Sequence, residues 1–491
     1  MRVCIKSRNS FITIFMANLK KNFIYNSLLT LSGYIFPLLT FPYVTRVLGV
    51  HNIGIVNFAF SVIDYFILFS TLGFAVVGLR EIARCQDKAQ RNLIFSQLVS
   101  VHIVLSFTVL LVYATCVCIV PQLYEYKSLF WIGASKIILN VFLIEWLYRG
   151  LQNFKYITLR TIITRTLYVL AIFIFVRQKD DYIIYFIITM AQVLLNAIIN
   201  WNYSKKYVVF SFTLKGTRKF LIPLFSWGIN MILLSFYTTF NVMFLGFVSG
   251  AIAVGYYTTA TKLYGIILSV LQAYNGVFIP YLNTLYSQGK IDDFKKTIEK
   301  SFKIVSMLSI PLVAVSFVLA SEIINLIAGD EFAPSVYPFR IVLFQVLIIG
   351  ISQITNSQIL LSLKKDKEIL ISTIYGTVTS VLILLIFVRD YGEIAAAYAV
   401  TLSHIVEFVF LLYYAKKNLD FKFPISSFMK TFLYTIPMIA FCLLVQYMID
   451  NVLLILLISG MLCSVYYFYI LCFIEKDEYV RKYAKRIYSF K

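Results

Sequence analysis

Asn57, Ser61 and Asp64 recur at i, i+4 and i+7, and Thr258, Lys262, Gly265, Ser269 and Gln272 continue that spacing further along the chain. On a helix each set falls on one face. Similar polar stripes run through Ser226, Asn230, Tyr237 and Asn241, and through Gln345, Ser352 and Asn356. Amides, hydroxyls and single charges in such rows can hold a polar or anionic solute, but they do not supply bond-making chemistry. His51, His102 and His404 lie in separate regions, and neither metal-ligand spacing nor a phosphate-cradling Gly-rich loop occurs. Binding and movement are therefore expected rather than catalysis, with no cofactor and no metal.

The elements that position these stripes are apolar. The chain is 60% hydrophobic and 14% charged, with mean hydropathy +0.83, whereas a soluble domain carries about a quarter charged residues. Its charge of +21 would suggest nucleic acid in a soluble protein. Here the base is dispersed over short loops between apolar runs, so no nucleic-acid partner is expected. Eight alternate segments, 1–23, 78–92, 149–160, 203–219, 287–303, 363–368, 415–430 and 475–491, hold 35 Lys and Arg; the seven between them hold five. Cytoplasmic loops retain Lys and Arg during insertion. The split predicts fourteen crossings with both termini cytoplasmic, hence an all-α polytopic membrane protein.

The spans are predicted at 24–45, 53–77, 93–120, 128–148, 158–177, 182–202, 220–248, 254–286, 304–327, 337–362, 369–388, 394–414, 431–449 and 452–474. Each approaches or exceeds the ~20 residues that cross ~30 Å of hydrocarbon. Pro37, Pro42, Pro280, Pro311 and Pro437 fall inside them and predict bends. The seven cysteines form no disulfide or metal pattern, and no cleavable leader precedes the first span. The loops leave no room for a soluble catalytic domain.

Residues 54–59 open the second span and 255–260 the eighth, 201 residues later, both just after an outer turn. Six spans separate them, which predicts two parallel halves. The offset maps Asn57 onto Thr258, Ser61 onto Lys262 and Asp64 onto Gly265, so equivalent faces carry an acid in one half and a base in the other. Ionisable groups in membrane spans normally face protein or a wet cavity. Asp64 and Lys262, well inside their spans on long polar stripes, are expected to line a cavity. Lys136, Glu145 and Glu407 fit either interhelical ion pairs or cavity lining, while Arg46 and Arg165, nearer predicted membrane edges, can snorkel to headgroups.

Asn22-Phe23-Ile24-Tyr25-Asn26 leading to Pro42-Tyr43-Val44-Thr45-Arg46-Val47-Leu48-Gly49, then Gly54 to Asp64, Gly73 to Arg84, Glu145-Trp146-Leu147-Tyr148-Arg149-Gly150 and Phe154-Lys155-Tyr156-Ile157 resemble a known family. They are similar to Wzx-type O-antigen and capsule flippases of the multidrug/oligosaccharidyl-lipid/polysaccharide superfamily. The resemblance implies an N-lobe at 24–208 and a C-lobe at 209–430, each of six helices, facing across a central cavity. A cytoplasmic segment at 1–23 precedes them, and two further helices with a basic tail, 431–491, follow. It also implies alternating-access export of an undecaprenyl-pyrophosphate-linked oligosaccharide across the bacterial cytoplasmic membrane. Lys262, Arg46 and Arg165 would meet the pyrophosphate; Asn57, Ser61, Asn230, Asn241 and Gln272 would meet sugar hydroxyls. Implied partners are this lipid-linked substrate, membrane lipids, a proton or sodium gradient, and polymerase or glycosyltransferase proteins. An ion-coupled multidrug antiporter, with Asp64 as coupling carboxylate, and a non-transporting assembly partner are the alternatives. Met16-Ala17-Asn18-Leu19-Lys20-Lys21-Asn22 resembles the usual start of such chains, so translation from Met16 is expected to suffice.

Overall fold

The computed structural model describes residues 2–475; the basic tail beyond Glu475 lies outside them. The chain divides into two compact units, Met1–Gly255 and Tyr256–Lys491. In the first unit α1 (Arg2–Thr71), α2 (Phe74–Arg84), α3 (Lys88–Ile119), α4 (Pro121–Glu125), α5 (Lys127–Asn140), α6 (Glu145–Gly150), α7 (Phe154–Phe175), α8 (Tyr182–Ser204) and α9 (Arg218–Ser235) follow one another, and α10 (Thr239–Ser287) begins. The second unit takes up α10 and adds α11 (Ile291–Val318), α12 (Ala320–Ala328), α13 (Val336–Gln353), α14 (Asp366–Asn418), α15 (Ile425–Met448) and α16 (Val452–Tyr469).

Among the described residues, eleven helical stretches are long and apolar enough to cross a membrane. A straight helix as long as α1 would reach ~105 Å, over three hydrocarbon thicknesses. It breaks instead at Gly49, as α10 breaks at Gly250 and α14 at Gly392. Divided at these three glycines, with α9 joined to the first arm of α10, the stretches provide fourteen crossings. Gly49 (φ 74°, ψ 173°) and Gly250 (φ 81°, ψ −178°) share a backbone conformation closed to side-chain-bearing residues and stand 201 positions apart. The predicted offset thus recurs in the backbone.

The arms beyond these breaks cross closely. A Cβ on Gly54 would lie 1.8 Å from the Ala251 carbonyl oxygen, and one on Gly255 would lie 2.4 Å from that of Val50. Adding 201 to Val50 and Gly54 reaches Ala251 and Gly255, so the contact is reciprocal. Further along, α9 and the first arm of α10 lie on the second crossing: Gly228 meets Leu72, Gly73 meets Trp227 and Gly246 meets Phe58. Residues 209–255, which the resemblance assigns to the second lobe, fall within the first compact unit.

A core around Phe74, Leu98, Trp146, Leu147 and Tyr148 holds one end of the first unit, with Gly78 flat against the Trp146 ring. In the second unit Phe294, Phe302, Ile354 and Leu411 form one core, and Met438, Cys442 and Cys463 another between α15 and α16. Helix α11 is tied to the end of the last span by Lys303, whose Nζ lies 3.0 Å from Glu475 Oε2, while Tyr434 donates to Oε1 at 3.2 Å.

Candidate functional site

Four residues of α7, Arg160, Thr161, Thr164 and Arg165, repeat at i, i+1, i+4 and i+5, which sets them on one face. Opposite them on α8, Gln192, Asn196 and Asn200 form an i, i+4, i+8 row. Glu145 and Arg149 project from α6 at i and i+4. These rows wall a cavity of about 350 Å³ in the first unit.

Local backbone geometry aims the acid. Ile144, with φ 23° and ψ 32°, occupies a left-handed conformation unusual for a β-branched residue and starts α6 at Glu145. The Asn200 amide holds the preceding carbonyl, that of Leu143. Asn200 is itself fixed: Tyr148 donates to its backbone carbonyl, and Tyr156 donates to its side-chain oxygen at 3.1 Å. Tyr156 stacks on Tyr203 with ring centroids 3.8 Å apart. A rigid aromatic group thus supports the cavity.

Within it, one carboxylate serves two guanidinium groups. Arg149 donates to Glu145 Oε1 at 2.9 Å and Arg160 to Oε2 at 3.1 Å. Arg160 also donates to Asn200 Oδ1 at 2.6 Å and Thr161 Oγ1 at 2.9 Å, and its side chain is only 7% exposed. Arg165 donates to Ser32 Oγ at 2.6 Å, and among the described residues no carboxylate lies within ion-pair distance of it. Three cations and one anion leave a formal excess of two positive charges. Thr164 donates to Asn196 Oδ1 at 3.1 Å, leaving the Gln192 side chain among the polar groups of the lining. A partly buried site with surplus guanidinium groups, amides and hydroxyls favours a phosphate-type anion, which Arg can bind bidentately.

Of the predicted site residues, Arg165 lines this cavity. Helix α7 starts at Phe154 rather than 158, because Asn153 caps it by accepting from the Tyr156 amide at 3.4 Å. Arg165 then sits near the middle of α7, ~16 Å from its start at ~1.5 Å per residue. The other predicted site residues do not line this cavity. Asp64 pairs with Lys136 at 2.5 Å, and Lys136 lies 5.4 Å from the centre of the Phe60 ring. Ser61 is buried and donates to the Phe58 carbonyl of its own helix at 2.7 Å. Asn57 is half-buried, Arg46 exposed and Asn241 fully buried, while Asn230 donates to the Ser226 carbonyl at 3.2 Å. In the second unit Lys262 and Gln272 are exposed on α10, and Glu407 accepts from Thr373 at 3.0 Å with His404 at 3.3 Å. Arg160 and the amide row of α8 escaped the sequence reading. Their signal was helical spacing, hidden for Arg160 because charge counting placed it in a loop.

A family model for polysaccharide biosynthesis proteins matches residues 19–286, more than half of the chain. A candidate O-antigen transporter of Escherichia coli strain K12 is 25% identical over 408 residues, covering 82% of this chain and 97% of its own. Among solved structures, the lipid II flippase MurJ in an inward closed conformation superposes with a TM-score of 0.77 at 16% identity, over 92% of this chain and 98% of MurJ. An inward-facing multidrug transporter of the MATE family gives 0.61 at 14% identity, over 80% and 98%. These likenesses establish a polytopic transporter fold. Because the family match covers more than half of the chain, the protein belongs to the family of polysaccharide biosynthesis proteins.

Proposed function

We propose that this protein is a flippase that moves undecaprenyl-pyrophosphate-linked oligosaccharide repeat units across the bacterial cytoplasmic membrane by alternating access. The observation that carries the reading is the surplus of guanidinium charge at mid-helix depth in the first unit, with Arg165 lacking a carboxylate partner among the described residues. A pyrophosphate cannot cross ~30 Å of hydrocarbon without replacing its hydration shell. Arg165, with Arg149 and Arg160 in the same cavity lining, supplies that replacement, while amides such as Gln192 and Asn196 suit sugar hydroxyls. No bond is made or broken; the substrate changes leaflet. A site with net positive charge disfavours an organic cation, which weighs against the multidrug alternative.

Lys262 and Arg46 are assigned further phosphate contacts along the path, and Asn57, Ser61, Asn230, Asn241 and Gln272 contacts to sugar. Asp64, paired with Lys136, is the proposed coupling carboxylate for a proton or sodium gradient, which would bias two states. The proposed lobes remain 24–208 and 209–430, followed by 431–491, with both termini cytoplasmic as the 35-to-5 distribution of base argues. Polymerase and glycosyltransferase proteins are the proposed assembly partners.

Reconstitution in proteoliposomes tests the reading. Labelled lipid-linked oligosaccharide should change leaflet with the native chain and stay in place with equally reconstituted Arg165→Gln. Organic-cation movement without glycan movement would overturn the assignment.

A further inference from the structure

A second cavity, in the second unit, combines a charged mouth with an apolar trough. It has a volume of about 460 Å³ and is lined from α11, α13 and the second arm of α14. Phe317, Tyr337, Phe344, Tyr398 and Leu402 supply half of its lining residues and are exposed. Thr401 also lines it, but its hydroxyl is engaged by protein: it accepts from Gln345 at 2.9 Å and donates to the Ile341 carbonyl at 3.4 Å.

Arg340 stands at the mouth, in the first two turns of α13. Its Nε donates to the Phe317 carbonyl at 3.2 Å, and its guanidinium carbon lies 5.3 Å from the Phe317 ring centre. Among the described residues no carboxylate lies within ion-pair distance of it. The adjoining helix start adds partial positive charge. A cation held by one carbonyl and one ring, above an apolar trough, fits an anionic headgroup whose chain lies in the trough.

Length identifies the chain. Tyr337, Arg340, Ile341, Phe344 and Ile348 follow i, i+3, i+4, i+7 and i+11 along α13, so the trough extends ~16 Å at ~1.5 Å per residue. One leaflet of hydrocarbon is ~15 Å deep, half of the ~30 Å core. We infer that Arg340 and this trough bind an anionic phospholipid, its phosphate on the guanidinium and one acyl chain between α11, α13 and α14. A long polyprenyl chain would overrun the trough several-fold. The assignment is independent of the flippase reading, because it concerns a resident lipid rather than cargo.

Native mass spectrometry of the purified full chain tests it, using phosphatidylglycerol and phosphatidylcholine with identical acyl chains. The native chain should retain phosphatidylglycerol preferentially. Arg340→Gln should reduce that preference about fivefold, in line with the usual contribution of one basic residue at a charged lipid surface, and Arg340→Lys should keep part of it. Ile348→Trp, which fills the trough and leaves the charge, should lower retention of both lipids. Equal preference in native and Arg340→Gln protein, loss in Arg340→Lys as complete as in Arg340→Gln, or unchanged retention by Ile348→Trp would each overturn the site. Displacement of phosphatidylglycerol by an equal amount of polyprenyl phosphate would overturn the phospholipid assignment.

Discussion

Replacing Glu145 by Gln preserves its shape and one acceptor oxygen but removes the single negative charge shared by Arg149 and Arg160. The two arms of this pair are unequal. Arg149 is 40% exposed and Glu145 36%, so water screens that arm and its loss costs about 0.5 kcal/mol. Arg160 is 7% exposed; a hydrogen bond to a charged partner is worth about 1.5–3 kcal/mol. The exposure of Glu145 places this arm near the middle of that range, below the 3–5 kcal/mol for breaking a fully buried pair. Together, Glu145→Gln should destabilise the protein by about 2–3 kcal/mol. Equilibrium unfolding in mild detergent measures this, and Arg160→Gln provides the control background. There the same change should cost under about 1 kcal/mol, because the buried charge that needed Glu145 is gone. A single-variant cost below about 0.5 kcal/mol, or one unchanged in the Arg160→Gln background, would refute the shared-carboxylate account.

Arg165→Gln should abolish glycan export at near-normal protein abundance, whereas Arg165→Lys should retain part of it, since charge survives and the bidentate fork does not; surface glycan measured beside membrane protein level reads both. Gly54→Ala should lower folded yield through a clash worth about 1–3 kcal/mol, while Gly265→Ala, where a Cβ meets nothing within 4 Å, should leave yield unchanged. Burial would raise the Glu475 carboxyl, but the hydrogen bond and charge of Lys303, with Tyr434 and Lys430, outweigh it and hold the group below its ordinary value. A lowered folded value means stability is present above the unfolded pKa of ~4.3 and is lost as pH falls through the folded one. Protection of amides in 452–475, corrected for the intrinsic pH dependence of exchange, should therefore fall below about pH 4 in native protein, and Glu475→Gln should remove that dependence. Cysteines placed at 205–219 should label only from inside and those at 250–253 only from outside.

The crossings and the 201-residue offset were legible because each answers to a local demand. Lys and Arg are retained on one side, and only glycine takes the backbone of Gly49 and Gly250. The cavity was legible only in part. Arg165 lines it, but its depth in the helix was hidden, since apolar content begins the span at 158 whereas the Asn153 cap begins α7 at Phe154. A tally of bases assigns Arg160 to a loop because it ignores which helix face each base occupies; the row at 160–165 facing 192–200 is the signal that marks it. That Asp64 meets Lys136 across 72 positions is a matter of packing between helices, which periodicity within one helix does not encode.

The reciprocal crossing at Gly54 and Gly255 carries a consequence for descent. If the halves arose by duplication of one ancestral segment, then Val50 with Gly54 and Ala251 with Gly255 began as two copies of one surface fitted to itself. Each copy has since drifted while serving as its sibling's template. A bulkier residue at 54 or 255 could persist only after room opened in the opposite copy, so these positions should change in matched pairs across relatives. Elsewhere the halves are free to diverge, as Asp64 and Gly265 already have.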